Sequence, residues 1–537
     1  MRDVLCARPA RGGGNELRVL TDAEDVAPYL EDSAHYPGGH ARSVVLAADE
    51  GDVANVLRSS ERVLCAGAQS SLTGGATPQG GVVLSLARMT RILSWSESAV
   101  CVEAGITLAE LEAELRKRDF YYPPVPTYDG ATVGGTVACN AAGAATFKYG
   151  STRDWVQAIT VVLADGDVLE LRRGQTRADR DGVFDIPLTS GRRARFSIPT
   201  YRMPQVPKRS LGYHTESRMD LVDLFIGSEG TLGVVTEVEL RLLRGRPAWF
   251  CGFIPMADDP RALALVGDLR RASVETRSRR DPLGIDIAAV EYLDRRCLEL
   301  LREDGVAADL GFDWPDGTGA ALIFQAELSP GATRDDAFEQ LGHLDDSSHD
   351  GRLLRLCRLL VEHEAFEATL PALPGDVTRR DELFRLREAV PAAVNHRVRE
   401  RKRTVDPSIS KSGGDVIVPF ERVGESLRRY RDILTSHGLD HAIWGHVSDG
   451  NFHPNALAAT AAQMVLAKEA QLEIGRVAIV LGGAPMSEHG VGRSPVKQAL
   501  LREVYGETGI DEMRAVKAAL DPTGKLAPGV LFEARGR

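Results

Sequence analysis

The sequence predicts an α+β protein built from two or three packed units, and three observations carry that expectation. The chain has 537 residues, more than one hydrophobic core ordinarily supports. From about Ser43 to Leu243, short apolar strands alternate with glycine-rich turns. From about Pro247 to Leu439, the apolar spacing lengthens to helical periods with strands interleaved. No segment repeats another, and none is of low complexity.

Taken in order, strands are expected at Ser43–Ala47, Val82–Ser85, Val100–Glu103, Ala158–Leu163 and Val234–Leu240. A helix over Leu108 to Arg118 follows Thr107, whose hydroxyl suits an N-cap. Within residues 165–213, the arginine-rich stretch Arg172 to Arg195 reads as an exposed hairpin or loop. Helical patterns follow over Pro260–Arg271 and Asp381–Val398, with strands at Ala320–Leu328 and Asp415–Pro419. The run RVRERKR (Arg397–Arg403) contains Glu400 and precedes a proline turn, so a solvated helix end is expected. A basic entrance that steers an anionic substrate is the alternative. The last hundred residues hold a histidine-rich turn, a helix over Ala461–Val480 and a closing helix from Ile510 to Leu520.

Composition removes several function classes. Hydrophobic residues make up 43% and charged residues 26%, the balance of a soluble globular chain. A net charge of −11 argues against nucleic acid as a partner. No apolar run approaches the roughly 18 residues of a membrane span, and Met1 to Gly14 lacks the apolar core of a secretory signal. Cys6, Cys65, Cys101, Cys139, Cys251, Cys297 and Cys357 are scattered singly, without a CxxC pair. A zinc ribbon or iron–sulfur cluster is therefore not expected, and an odd count without a framework suits a cytoplasmic protein. Peripheral contact with the inner face of a membrane, and a homodimer, are compatible with this reading.

Three glycine-rich stretches carry chemistry. Cys65 to Gly75 (CAGAQSSLTGG) follows an apolar segment, and its small residues let backbone N–H groups converge on an anion. It is neither a GK[ST] phosphate loop nor GxGxxG, which argues against an ATPase or a nicotinamide-binding Rossmann domain. Alone, it could equally be a structural turn. Pro126 to Gly150 (PTYDGATVGGTVACNAAGAATFKYG) has a wall of small residues against which a large flat ligand could lie, with Asn140 able to hydrogen-bond it. Asp223 to Leu240 (DLFIGSEGTLGVVTEVEL) sets a tight glycine turn before a β-branched strand.

These stretches, in this order, resemble the FAD-binding domain of the vanillyl-alcohol oxidase/PCMH flavoprotein family. The first resembles its diphosphate loop, the second its TIGG…NAxG…YG segment and the third its GSEGTLGxxTE segment. The resemblance implies that Ala66, Gly67, Ala68, Gln69, Ser70 and Ser71 cradle the diphosphate of FAD. It implies that Thr132, Gly134, Gly135, Asn140, Gly143 and Tyr149 line the ribityl–isoalloxazine path. Glu229, Gly233 and Val235 would sit near the adenine half. Relatives that attach FAD covalently often use a histidine in the first loop; Gln69 and Ser70 stand there, so dissociable FAD is expected. Cys65 and Cys139 are expected to fill space.

Near the C-terminus, Trp444 to Asn455 (WGHVSDGNFHPN) brings His446 and His453 to either side of a turn, and Met486 to Gly492 (MSEHGVG) sets Glu488 beside His489. Two imidazoles and a carboxylate on turns suit an open divalent-metal site of zinc, manganese or iron. The bland alternative is histidines that only satisfy local hydrogen bonds. GHxxDGNxH followed by SxEHGxG is similar to the C-terminal segments of the D-lactate, glycolate and D-2-hydroxyglutarate dehydrogenases of that family. The resemblance implies His446, His453 and Glu488 as metal ligands and His489 as general base. It also points to Arg387, in Leu383 to Pro391 (LFRLREAVP), as the group that binds the substrate carboxylate, and loosely to Lys411 ahead of Asp415–Pro419. In the tail, Ala527 stands before Pro-Gly where relatives commonly have asparagine.

The expected architecture is a PCMH-type FAD-binding domain of two subdomains (residues 38–245) after an N-terminal extension (1–37), an α+β substrate domain (246–440) and a C-terminal helical segment (441–537) that completes the active site. The expected reaction is oxidation of a small D-2-hydroxy acid to the 2-oxo acid by hydride transfer to FAD. Electrons would leave to an external quinone, electron-transfer flavoprotein, cytochrome or oxygen. The rival on the same fold is an alkyl-glycerone-phosphate synthase-like transferase or a sugar or alcohol oxidase.

Overall fold

The computed structural model describes residues 7–14, 16–123, 126 and 128–533. It is an α+β protein whose chain forms two compact units. The first comprises the described residues of Met1–Gly143, Gly150–Arg244 and Ala484–Arg537; the second comprises Ala144–Tyr149 and Gly245–Gly483.

The first unit contains two larger sheets and two two-stranded ones. In the smaller of the larger two, Ser43–Leu46 and Val63–Ala66 both pair in parallel with the central Val82–Ser85, and Arg18–Leu20 adds an antiparallel edge. Buried runs of valine and leucine mark these as strands covered on both faces. The larger sheet is antiparallel, in the order Arg8–Pro9, Asp167–Arg172, Val156–Val162, Val234–Arg241, Ala99–Glu103 and Ile92–Trp95. Val234–Arg241 alternates buried and half-buried residues, as a strand with one solvated face should. Leu108–Arg116 is the expected helix, and Thr107 and Glu110 form a reciprocal capping box at its start.

The arginine-rich stretch does contain a hairpin, Val183–Pro187 paired with Arg193–Ser197. Beyond it, Lys208, Leu211 and Tyr213 are fully buried.

The second unit is an eight-stranded sheet between two helical layers. Ala248–Met256, Ala320–Leu328 and Ile287–Asp294 form its centre, and Ile287–Asp294 passes the ladder to the hairpin His441–Gly445/Asn451–Ala456. Alternation along Ala248–Met256 divides the core. Phe250 and Ile254 face helices Asp259–Arg279, Arg352–Glu362, Val423–Ser436 and Ala461–Val480, whereas Cys251 and Phe253 face Arg295–Glu303 and Val377–Thr404. Gly252 is glycine because a Cβ there would lie 2.7 Å from the Phe324 ring.

The RVRERKR run is the C-terminal end of Val377–Thr404. Arg397 pairs with Glu303 and Asp304, Arg401 donates to the Leu457 carbonyl, and Arg403 pairs with Glu400. Its charges serve local contacts at a helix end. Among the described residues, no helix is long and apolar enough to cross a membrane.

Candidate active site

In the first unit, Val63–Ala66 runs into the glycine-rich loop, and this loop forms one wall of an open cavity of about 1550 Å³, its mouth included. All six residues Ala66 to Ser71 line it. Thr132, Gly134, Gly135, Gly233 and Val235 also line it, as do Glu229, Glu488 and His489. Two of the motifs meet here for a steric reason: a Cβ on Gly67 would sit 2.5 Å from the Thr132 hydroxyl, so only glycine lets the loops close up. Thr132 in turn caps the helix Val133–Cys139 through the Gly135 N–H. Gly134 is small for packing, since its Cβ would lie 2.7 Å from that of Ala104.

Polar side chains of the first loop brace the loop itself. Gln69, at φ 56°, donates to the carbonyls of Tyr29 and Ala76. The Ser71 hydroxyl accepts from the N–H groups of Thr73 and Gly75. A ligand anion would therefore meet mainly backbone donors, which suits a diphosphate held without lysine or arginine. The apolar lining suits a flat ring system, so the cavity fits FAD. Burial pushes the Cys65 and Cys139 thiols up to about 12, so neither is a ready nucleophile. Cys6 lies outside the described residues.

Asn140 and Tyr149 make side-chain contacts of their own. Asn140, at φ 49°, ends the helix Val133–Cys139; its carboxamide accepts from the Arg153 N–H and donates to the Arg209 carbonyl. Asn140 and Gly143 are not among the residues that line the cavity. Tyr149 belongs to the second unit, where its hydroxyl donates to Glu327 and its neighbour Lys148 pairs with Asp286 and Glu327. The Asn140 side chain is engaged with backbone and that of Tyr149 with a carboxylate, which motif matching cannot reveal.

Glu488 and His489 follow the short link Ala484–Met486. The Glu488 carboxylate lies 3.0 Å from the fully buried Lys208 ammonium and 3.4 Å from His489 Nε2. Glu229 accepts the N–H groups of both Val491 and Gly492 at 2.8 Å. Burial pushes its carboxyl up to about 7, against the opposing effect of those two N–H groups and Lys497. Glu229 therefore binds the histidine loop and also borders the cavity.

In the second unit, the histidine-rich segment is a tight β-hairpin. Trp444 pairs across from His453, the turn Val447–Asp449 follows His446, and Gly450 takes φ 88°. A Cβ at Gly450 would meet the Val418 carbonyl at 2.2 Å. The His446 and His453 rings stand edge to face with centroids 5.4 Å apart. His446 Nδ1 is 2.8 Å from Glu291 Oε1, and His453 Nδ1 is 3.8 Å from Asp415 Oδ1. At His446 the Glu291 carboxylate holds the proton on Nδ1 and leaves Nε2 as the lone-pair nitrogen, the arrangement usual for metal-binding histidines, whereas Asp415 Oδ1 is too far from His453 Nδ1 to do the same. The donor set of this half fits a divalent metal.

Arg387 is buried, with Nε 3.3 Å from Glu291 Oε2, so Glu291 bridges Arg387 and His446. This differs from a helix-surface arginine paired with Glu388 or Asp381. Lys411 is half-buried and immediately precedes Ser412–Gly413, which pairs with the strand that carries His453.

Lys208, Glu291 and Asp415 escaped sequence reasoning as site residues. Glu291 had a signal: a single glutamate inside the apolar strand IAAVEYLD must find a partner if it is buried. Lys208 had none, because it stands among exposed-looking arginines.

Comparison with known proteins agrees with this geometry. Residues 41–172 match the family model of an FAD binding domain, and residues 257–531, more than half of the chain, match that of the C-terminal domain of FAD linked oxidases. The chain is 28% identical over 472 residues to "Glycolate oxidase subunit GlcD" of Bacillus subtilis (strain 168), covering 87% of this chain and 83% of that protein. It is 27% identical over 525 residues to a D-lactate dehydrogenase of Anaerostipes hadrus, covering 95% and 94%. It is 26% identical over 540 residues to a D-2-hydroxyglutarate dehydrogenase of Stutzerimonas stutzeri (strain A1501), covering 96% of each. Among solved structures, a 4-ethylphenol oxidase from Gulosibacter chungangensis shares the fold with a TM-score of 0.62 at 17% identity, over 97% of this chain and 95% of that one. An alkyldihydroxyacetonephosphate synthase does so with a TM-score of 0.60 at 14% identity, over 98% and 89%.

Proposed function

This chain belongs to the FAD-linked oxidases, and we propose that it oxidises a small D-2-hydroxy acid to the corresponding 2-oxo acid. The observation that carries the reading is the presence of Glu488 and His489 on the wall of the same cavity as the Ala66–Ser71 loop. A proton acceptor thus borders the space that fits the cofactor.

FAD, held without a covalent link, supplies the hydride acceptor. His489 takes the substrate hydroxyl proton at its imidazole nitrogen. Arg387, one edge of which faces Glu291, presents its guanidinium to the substrate carboxylate. Lys411 adds positive charge beside the same strand pair. His446, His453 and Glu488 would hold a zinc, manganese or iron ion, whose Lewis acidity lowers the pKa of a bound hydroxyl. Electrons leave to an external acceptor: a quinone, an electron-transfer flavoprotein, a cytochrome or oxygen. A cytoplasmic location, with or without peripheral membrane contact, suits that chemistry.

The test is an anaerobic visible spectrum of the purified protein before and after D- and L-2-hydroxy acids. Bleaching of the flavin band by D-lactate, D-2-hydroxyglutarate or glycolate is expected. A flavin band that none of them bleaches would sink the substrate assignment in favour of the transferase or alcohol-oxidase reading. Acid precipitation should release the flavin into the supernatant; a yellow pellet would mean a covalent link.

Glu291 supplies a second expectation. Glu291→Gln removes the charge that orients His446, and metal affinity is expected to fall by about 10–100-fold. Titration of metal-stripped protein with zinc measures this directly. An unchanged affinity would remove His446 from the ligand set.

A further inference from the structure

We infer that Glu229 is a positioning residue that sets the loop carrying His489. The inference rests on the proposed role of His489 as base. Glu229 comes from the GSEGTLG turn, about 260 residues earlier in the chain, yet its two carboxylate oxygens each accept one backbone N–H, from Val491 and Gly492, at 2.8 Å. Those are the second and third residues after His489.

Glu229 is itself rigidly held. It adopts φ 53°, and its N–H donates to the Ala138 carbonyl at 2.8 Å. Packing supports the same contact from the other side: a Cβ on Gly490 would lie 2.8 Å from Glu229 Oε1, so the loop approaches the carboxylate as closely as glycine allows. Lys497 holds the Gly490 carbonyl at 3.2 Å, and the Leu531 N–H donates to the Gly492 carbonyl. The loop's carbonyls are thus held by its own C-terminal segment, and two of its N–H groups by the glutamate of the FAD domain. A carboxylate offers a separate acceptor oxygen to each of the two N–H groups. In glutamine one oxygen becomes an NH₂ that opposes an N–H.

The experiment compares Glu229→Gln with the wild-type holoenzyme. FAD content and KM for the hydroxy acid should stay within about threefold. The rate constant of flavin reduction should fall by about ten- to a hundredfold, as expected for a misplaced base. Hydrogen exchange at the amides of Val491 and Gly492 should quicken by at least about tenfold.

An unchanged reduction rate with unchanged exchange overturns the inference. Loss of FAD from the variant also overturns it, because Glu229 would then be a cofactor contact. If the variant does not fold, exchange in the wild type decides: rapid exchange at both amides overturns the clamp, and protection supports it. If no 2-hydroxy acid reduces the wild-type flavin, the proposed function fails, while the exchange data still judge the clamp.

Discussion

Replacing His489 with alanine is expected to slow reduction of the bound FAD by about 10²–10⁴-fold, the usual contribution of a positioned general base. The cofactor should remain bound. The cavity is shaped chiefly by the backbone of Ala66–Ser71 and by the small residues around Gly134, none of which depends on an imidazole. Stability should change little, because the ring is partly exposed and sits on a loop whose backbone is held by Glu229 and Lys497. The effect should therefore fall on the rate constant and not on KM, the pattern of an interaction made in the transition state. Anaerobic stopped-flow spectroscopy at the flavin band separates the two. A rate within about threefold of wild type would assign proton removal to another group.

The elements with continuous apolar faces were those most legible in the sequence, for physical reasons. Val82–Ser85, Ala320–Leu328 and Ala461–Val480 have the bounds their apolar patterns imply, because each buries a continuous face and ends at turn residues. Helices Asp259–Arg279 and Val377–Thr404 run longer than their apolar spacing indicates. Their last turns are polar, and tertiary contacts such as Arg401 to the Leu457 carbonyl carry them on. Pro391 does not end the second helix, although proline usually does.

Glycine-rich motifs reveal close backbone approach, which is why Ala66–Ser71 and Gly134–Gly135 were found. They say nothing about where a neighbouring polar side chain turns, which is why Asn140, Gln69 and Tyr149 sit in bracing roles. Ala527 takes φ 39°, a left-handed conformation that asparagine tolerates better than alanine. Glu229 was recognised by its motif, but its partners Val491 and Gly492 are set by tertiary folding alone.

Lys208→Met is expected to destabilise the unit that carries it by about 3–5 kcal/mol, the usual cost of removing one member of a buried ion pair. Lys208 is fully buried, and its ammonium lies 3.0 Å from the nearly buried Glu488 carboxylate. The methylene stem would be replaced by a similar apolar volume, so loss of packing contributes little. The cost should arise instead from Glu488. A carboxylate denied its cation must either stay charged in a poor environment or take up a proton. The double variant Lys208→Met/Glu488→Gln should then recover most of the loss, because neither member of a neutral pair carries that desolvation penalty. Urea unfolding followed by release of FAD fluorescence reports on this unit. A loss below about 1 kcal/mol in the single variant would mean that Glu488 finds other stabilisation. Failure of the double variant to recover would place the cost in packing around Lys208. Either outcome bears on catalysis, because Glu488 adjoins His489, and the ammonium that offsets its charge is a group that no sequence motif identified.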